Sequence, residues 1–333
     1  MRSIAAPLLL AASGLALAET PPPILDMHLH ASSADANGPP PLAICAPFPE
    51  YPLADGRPWG ERFLAWQKQP PCADPVWSPE TDEALMRQTI AVMERRNVYG
   101  VLSGTPARVQ QWRGAAPGRF IAGIGFQLGR DAVTPAQLRE LHARGAVEVL
   151  AEVTNQYLGI APDDPRFEPY LQVAEELDMP VGIHVGTGPP GSPYLGFSGY
   201  RAALHSALTL EDALLRHPRL RVYIMHAGWP MLDDLLAVLW AHPQVYVEVG
   251  AIDFALPRAE FHRYLQRIVE AGFGKRVMFG SDQMVWPGLI ERAIEAIESA
   301  PFLTADQKRD VFYNNAARFL RLSEQEIARH HGG

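Results

Sequence analysis

Eight short apolar runs, separated by stretches with helical spacing of apolar and polar residues, recur from residue 24 onward and constrain the fold more than any other feature. They are Ile24–His30, Tyr99–Ser103, Phe120–Phe126, Val147–Val153, Val181–Gly186, Arg221–His226, Val245–Gly250 and Arg276–Ser281. Runs such as Val-Tyr-Val-Glu-Val are mostly apolar on both faces. Such strands need cover on both sides, and helices between successive strands supply it, which makes the sheet parallel. Eight is the number that closes a parallel sheet on itself. The expected class is therefore α/β, a (β/α)8 TIM barrel. At 47% hydrophobic over 333 residues the chain has enough apolar material for one such domain, placed at residues 19–333.

Helices are expected between the strands. Thr81–Arg96 aligns Leu85, Met86, Ile90 and Met93, and Pro165–Leu177 follows Asp164 as N-cap with proline in the first turn. Pro230–Trp240 and Arg258–Ala271 fit the same period, and Asp306–Leu320 is expected as a terminal helix outside the last strand–helix unit. Residues 31–79 break the rhythm, with many prolines, several aromatics and no clear period. Because they follow the first strand, at the end of a barrel where active sites are built, they read as a cap over the site mouth. A surface excursion without a catalytic role is the alternative. This segment also holds the only two cysteines, Cys45 and Cys72, expected as a structural disulfide in an exported chain.

Export is expected from the N-terminus. Arg2, an apolar run from Ile4 to Leu17 and then Ala16-Leu17-Ala18 before Glu19 match a signal peptide over residues 1–18. That run is too short for a permanent anchor, so a periplasmic or secreted protein without a stable membrane anchor is expected. The formal charge of −8 and the lack of a basic run argue against nucleic acid as a partner. A small-molecule substrate is the expected partner, and a homodimer remains open.

The candidate chemistry lies at strand ends. His28 and His30 are two apart on the first strand and so share a face. His184 ends the fifth run, His226 ends the sixth, and Asp282 follows the eighth. Barrel strand ends converge, and four imidazoles with a carboxylate would be costly to bury together unless a cation required them. Neutral imidazole and carboxylate are ordinary ligands of zinc and similar divalent metals.

With these residues in place, the chain resembles the amidohydrolase superfamily, in the amidohydrolase-related branch that also contains aromatic-acid decarboxylases. The resemblance is carried by Asp26-Met-His-Leu-His30, His184, His226 in Met-His-Ala-Gly-Trp-Pro, Asp282 in Gly-Ser-Asp, and the tail Tyr313-Asn-Asn-Ala-Ala-Arg-Phe-Leu320. It implies that His28, His30 and Asp282 bind the more buried metal, that His184 is a further ligand, and that His226 is a ligand or a catalytic histidine. Asp282 would also take a proton from a water made acidic by the metal.

Glu152, near the end of the fourth run, bears on whether one metal or two is bound. Facing inward, it could bridge two metals as strand-four carboxylates do in some members of the superfamily; facing a helix, it would pair with an arginine. Glu148, four residues earlier, is expected on the same face. Asp26 either orients an imidazole or makes a buried salt bridge. Tyr157, Tyr194, Trp229 and Trp286 fall in strand-end loops and could form an aromatic wall for the substrate, with Arg201 on a substrate carboxylate; loop packing is the alternative for each. His142, His205, His217 and His242 are expected to face solvent. The favoured function is metal-dependent hydrolysis of a small ester, lactone or amide. The rivals are a mononuclear decarboxylase of an aromatic or enol acid and a non-catalytic metal- or ligand-binding barrel.

Overall fold

The computed structural model describes residues 21–130 and 133–332, so the expected leader, residues 1–18, lies outside the described residues. Eight parallel strands follow one another around the sheet in sequence order. They are β1 Ile24–His30, β2 Val98–Ser103, β3 Phe120–Phe126, β4 Val149–Val153, β5 Val181–His184, β6 Val222–Met225, β7 Val245–Glu248 and β8 Val277–Met278. Between the last and first strands, the Met27 amide donates to the Phe279 carbonyl and the Asp282 amide to the His28 carbonyl, both at 2.9 Å. The result is a nearly closed TIM barrel, as the apolar runs imply. Among the described residues no helix is long and apolar enough to cross a membrane.

Strand side chains separate into two packed groups. Leu102, Ile124, Leu150, Ile224 and Val247 join the large cluster that includes the helices. Leu25, Met27, Val101, Val149, Tyr223 and Met278 pack on one another and on Tyr313 and Phe319 of the closing helical run. That run, Ala305 to Leu320, has one widened turn at Asp310–Asn314. Buried Asn315 fixes it to the barrel by donating to the carbonyls of Gly274 (2.9 Å) and Val277 (2.7 Å). A further helix, Glu324–His330, follows with Ser323 as its cap.

Two irregularities decide which side chains reach the barrel mouth. The β1–β2 register shifts between Asp26 and Leu29, and on β4 both Leu150 and Ala151 face Ile124. Each extra residue inverts the in–out alternation beyond it.

Residues 31–79 are more ordered than their composition suggests. Ala43–Ile44 pairs antiparallel with Val76–Trp77, α1 spans Trp59–Lys68, and Cys45 and Cys72 are joined as a disulfide. The helix holds no proline and its aromatics keep the helical period: Trp59, Phe63 and Trp66, at i, i+4 and i+7, stack in series with ring centroids 6.4 and 5.8 Å apart, in a short run between Pro58 and Pro70.

Candidate metal centre

The five strand-end residues meet at one end of the barrel. The rings of His28 and His30 lie 4.8 Å apart, those of His28 and His226 5.3 Å, and those of His184 and His226 4.5 Å. Asp282 Oδ1 is 2.9 Å from His30 Nε2 and 3.5 Å from His28 Nε2. Glu152 points inward among them. Its Oε2 faces His28 Nε2 at 3.6 Å and His30 Nε2 at 3.8 Å, while Oε1 faces His226 Nε2 at 3.7 Å and His184 Nε2 at 4.0 Å. Asp282 and His226 both hold left-handed backbone, φ 44° and 61°, without being glycine. Strained backbone of this kind persists where the surroundings over-determine it, commonly at functional sites.

Three of the imidazoles are gripped from behind through Nδ1. His28 Nδ1 meets Glu248 Oε2 at 3.1 Å, His184 Nδ1 meets Gln156 Oε1 at 3.1 Å, and His226 Nδ1 meets the Gly250 carbonyl at 2.8 Å. Acceptors at Nδ1 hold a proton there, so that Nε2 of each ring is the atom offered to a cation. Gln283 fixes His30 through its backbone, accepting from the His30 amide at 2.9 Å and donating to its carbonyl at 2.7 Å. Space for Glu248 comes from Gly250 and Gly280, where any Cβ would collide with its carboxylate.

Electrostatics and geometry both suit a cation. Burial opposes charge on His28, but the carboxylates of Asp282 and Glu248 prevail and hold its pKa well above the ordinary imidazole value. His184, buried and beside His226, falls to about 3. Burial would raise Glu152, yet the imidazoles of His226 and His28 hold it well below the usual carboxylate range. His28 Nε2 is buried with no hydrogen-bond partner. Two ligands of one tetrahedral cation, each about 2.1 Å from it, stand roughly 3.4 Å apart. The gaps around Glu152 are too wide for hydrogen bonds and close to that spacing. Among the described residues three donor sets, His28/His226/Asp282, His28/His30/Glu152 and Glu152/His184/His226, each hold one ligand atom per residue within 4.8 Å of the others. The residues fit a divalent metal.

Several expectations need correction. Glu148 does not share the face of Glu152. It lies about half exposed, accepting from the Ala122 amide and near Arg113, because the irregularity on β4 changes the parity between them. Asp26 neither touches an imidazole nor forms a salt bridge. It accepts from the backbone amides of His28 (2.9 Å) and Ser281 (3.0 Å), tying the first and last strand ends together, and burial pushes its carboxyl up to about 7. His205, His217 and His242 are buried. His205 pairs with the Tyr200 hydroxyl, His217 lies between Glu168 and Glu175, and His242 meets Glu211, while His142 is half-buried on the Val147 carbonyl. Glu248, Gln156 and Gln283 were not anticipated. Glu248 did carry a signal, a carboxylate inside an apolar parallel strand.

A cavity of about 590 Å³ opens above the metal-ligand residues, between the strand-end loops and the cap segment. This is within the usual range for a small-molecule site. Tyr157 and Trp286 line it. The Tyr157 ring lies 4.7 Å from that of His184, and the buried Trp286 indole donates to the Leu42 carbonyl at 2.9 Å, tying cap to barrel. The other three proposed substrate residues do not line it. Tyr194 projects into solvent from the short turn Ser192–Tyr194, whose buried member is Ser192. Arg201 is spent on the carbonyls of Ser198 and Tyr200, and the Trp229 indole donates to Glu260.

Among solved structures, the chain is similar to an uncharacterized TIM-barrel protein from Bordetella bronchiseptica, at 19% identity and TM-score 0.58, covering 92% of this chain and 100% of that one. It is similar to a probable 2-pyrone-4,6-dicarboxylic acid hydrolase from Acinetobacter baumannii with citric acid bound, at 17% identity and TM-score 0.58, covering 90% and 99%. It is also similar to a 5-carboxyvanillate decarboxylase from Sphingomonas paucimobilis, at 15% identity and TM-score 0.56, covering 90% and 99%. At these identities the likeness is one of fold. No curated protein sequence matches the chain. The family model described as "Amidohydrolase", of a metal-dependent enzyme family that includes hydrolases and decarboxylases, matches residues 25–322. The chain belongs to the amidohydrolase family.

Proposed function

We propose that the protein hydrolyses a small ester, lactone or amide with two divalent cations, zinc being the ion best suited to an imidazole-rich set. The observation that carries this reading is Glu152, a single carboxylate with one oxygen facing His28 and His30 and the other facing His184 and His226. His28, His30 and Asp282 would hold one cation with Glu152, and Glu152, His184 and His226 the other. Such cations, when bound, make water a nucleophile at neutral pH and polarise a carbonyl.

The chain's own groups supply the rest. Asp282 lines the cavity beside His30 and is placed to accept the proton of the attacking water and return it to the departing oxygen or nitrogen. Tyr157 also lines the cavity, and its hydroxyl makes no hydrogen bond among the described residues, leaving it to donate to the carbonyl oxygen as charge develops there. Glu248, Gln156 and the Gly250 carbonyl hold the imidazoles in orientation throughout. A disulfide-linked cap suits an oxidising compartment, and we place the protein in the periplasm or outside the cell.

The test joins product analysis to metal counting. The metal-loaded protein should release acid and alcohol from neutral esters or lactones and no carbon dioxide from hydroxybenzoic acids. Glu152→Gln should reduce bound metal from two ions per chain to one and slow turnover at least about hundredfold, in line with losing a group that places the nucleophile. Carbon dioxide release without hydrolysis, or one ion per chain in the unmodified protein, would contradict the proposal.

A further inference from the structure

The walls of the cavity differ sharply from its floor. The floor carries His30, Glu152, His184, His226 and Asp282. Above it the cap contributes Ile44, Phe48, Phe63 and Leu64, and the strand-end loops add Phe197 and Leu256. Among the described residues that line the cavity there is no lysine and no arginine, and its carboxylates and imidazoles all lie on the floor. Arg62, the arginine of α1, does not line it and pairs with Asp55.

Three side chains of the cap, Ser32, Tyr51 and Gln67, face the cavity with no side-chain hydrogen bond among the described residues, and Gln67 is the most buried of them. Gln67, on α1, lines the cavity and is 4% exposed, and its side-chain amide takes part in no hydrogen bond among the described residues. The atoms of that amide are open to the cavity, so a bound molecule that displaces water from them must offer a carbonyl or hydroxyl in exchange. A distal carboxylate on the substrate would be stripped of water against aromatic and aliphatic side chains with no cation to meet it.

We infer that this site takes an uncharged ester, lactone or amide with a hydrophobic body enclosed by the cap and a single distal carbonyl or hydroxyl paired with Gln67. This rests on the hydrolase reading and narrows it, excluding di- and tricarboxylates from the substrate class. The cap is then the specificity element: the floor acts on the scissile bond, and Phe48, Phe63 and Leu64 select what is attached to it.

The experiment compares p-nitrophenyl esters on the metal-loaded full chain. From acetate to hexanoate, kcat/KM should rise about fourfold per methylene, which is the ~0.8 kcal/mol per buried methylene expressed as a rate ratio. The p-nitrophenyl monoester of adipate, which matches the hexanoate except for a terminal carboxylate, should be at least about tenfold poorer. Leu64→Arg should narrow or reverse that difference at unchanged metal content. Equal rates for hexanoate and adipate esters, or no dependence on chain length, would overturn the inference. Hexanamide and adipamic acid, titrated calorimetrically into the same protein, give an independent arm. If no ester is hydrolysed but hexanamide still binds at least about tenfold tighter than adipamic acid, the hydrolase reading fails and the pocket assignment stands; if adipamic acid binds as well, the pocket assignment fails.

Discussion

Each imidazole at the barrel mouth needs a group behind it as well as a cation in front. Glu248 illustrates this: it is fully buried, and its Oε2 lies 3.1 Å from His28 Nδ1. Glu248→Gln leaves an amide of the same shape but removes the charge that stabilises the ring's proton. Metal affinity should fall about 10–100-fold, the usual cost of losing such an outer partner, and competition with a chromogenic chelator measures it. Protonation sets a second expectation. In the metal-free protein the neighbouring carboxylates keep His28 protonated well above the ordinary imidazole range. A raised folded-state pKa stabilises the metal-free fold below about pH 6.5, and that contribution disappears as pH climbs through the raised value. Metal must displace the same proton, so affinity should increase with pH and binding should release protons. Calorimetric titrations at pH 6 and pH 8 in buffers of different ionisation enthalpy should show tighter binding at pH 8 and net proton release; equal affinity at both would contradict the assignment of His28.

At the scale of elements, what was legible in the sequence depended on whether a local period survived. Strand ends were legible because parallel strands are apolar on both faces, so a histidine closing such a run stands out. The position of Glu152 opposite Glu148 was not, because a one-residue irregularity on β4 is invisible to an alternation rule. Helix α1 was not, since its period in Trp59, Phe63 and Trp66 spans only ten residues between Pro58 and Pro70 in a segment otherwise without one. The buried histidines were missed because their partners come from other elements. Glu168 and Glu175 both lie along the helical run after Asp164 and both reach His217 across a gap in sequence of more than forty residues. The cap also carries its own stability test. The Cys45–Cys72 disulfide closes a separation of 27 residues, worth about 3–4 kcal/mol by the chain-entropy account. Cys45→Ser should lower the thermal midpoint of the oxidised protein and leave that of the reduced protein unchanged, as followed by calorimetry. A midpoint insensitive to reductant in the unmodified protein would show that the crosslink does not restrain the unfolded chain.

Across the whole molecule, residues from the first strand to the end of the eighth contribute to one cluster, and the closing helical run secures the barrel beneath it through Asn315. Among the described residues His28 Nε2 has no hydrogen-bond partner, and a divalent cation would both pair it and satisfy the facing carboxylates. Anomalous diffraction at the zinc edge, from crystals of protein loaded with that metal, tests this most directly. Two peaks are expected, one bounded by His28, His30 and Asp282 and one by His184 and His226, with Glu152 between them. A single peak would overturn the paired site, and no peak within coordinating reach of His28, His184 and Asp282 would contradict the metal centre itself.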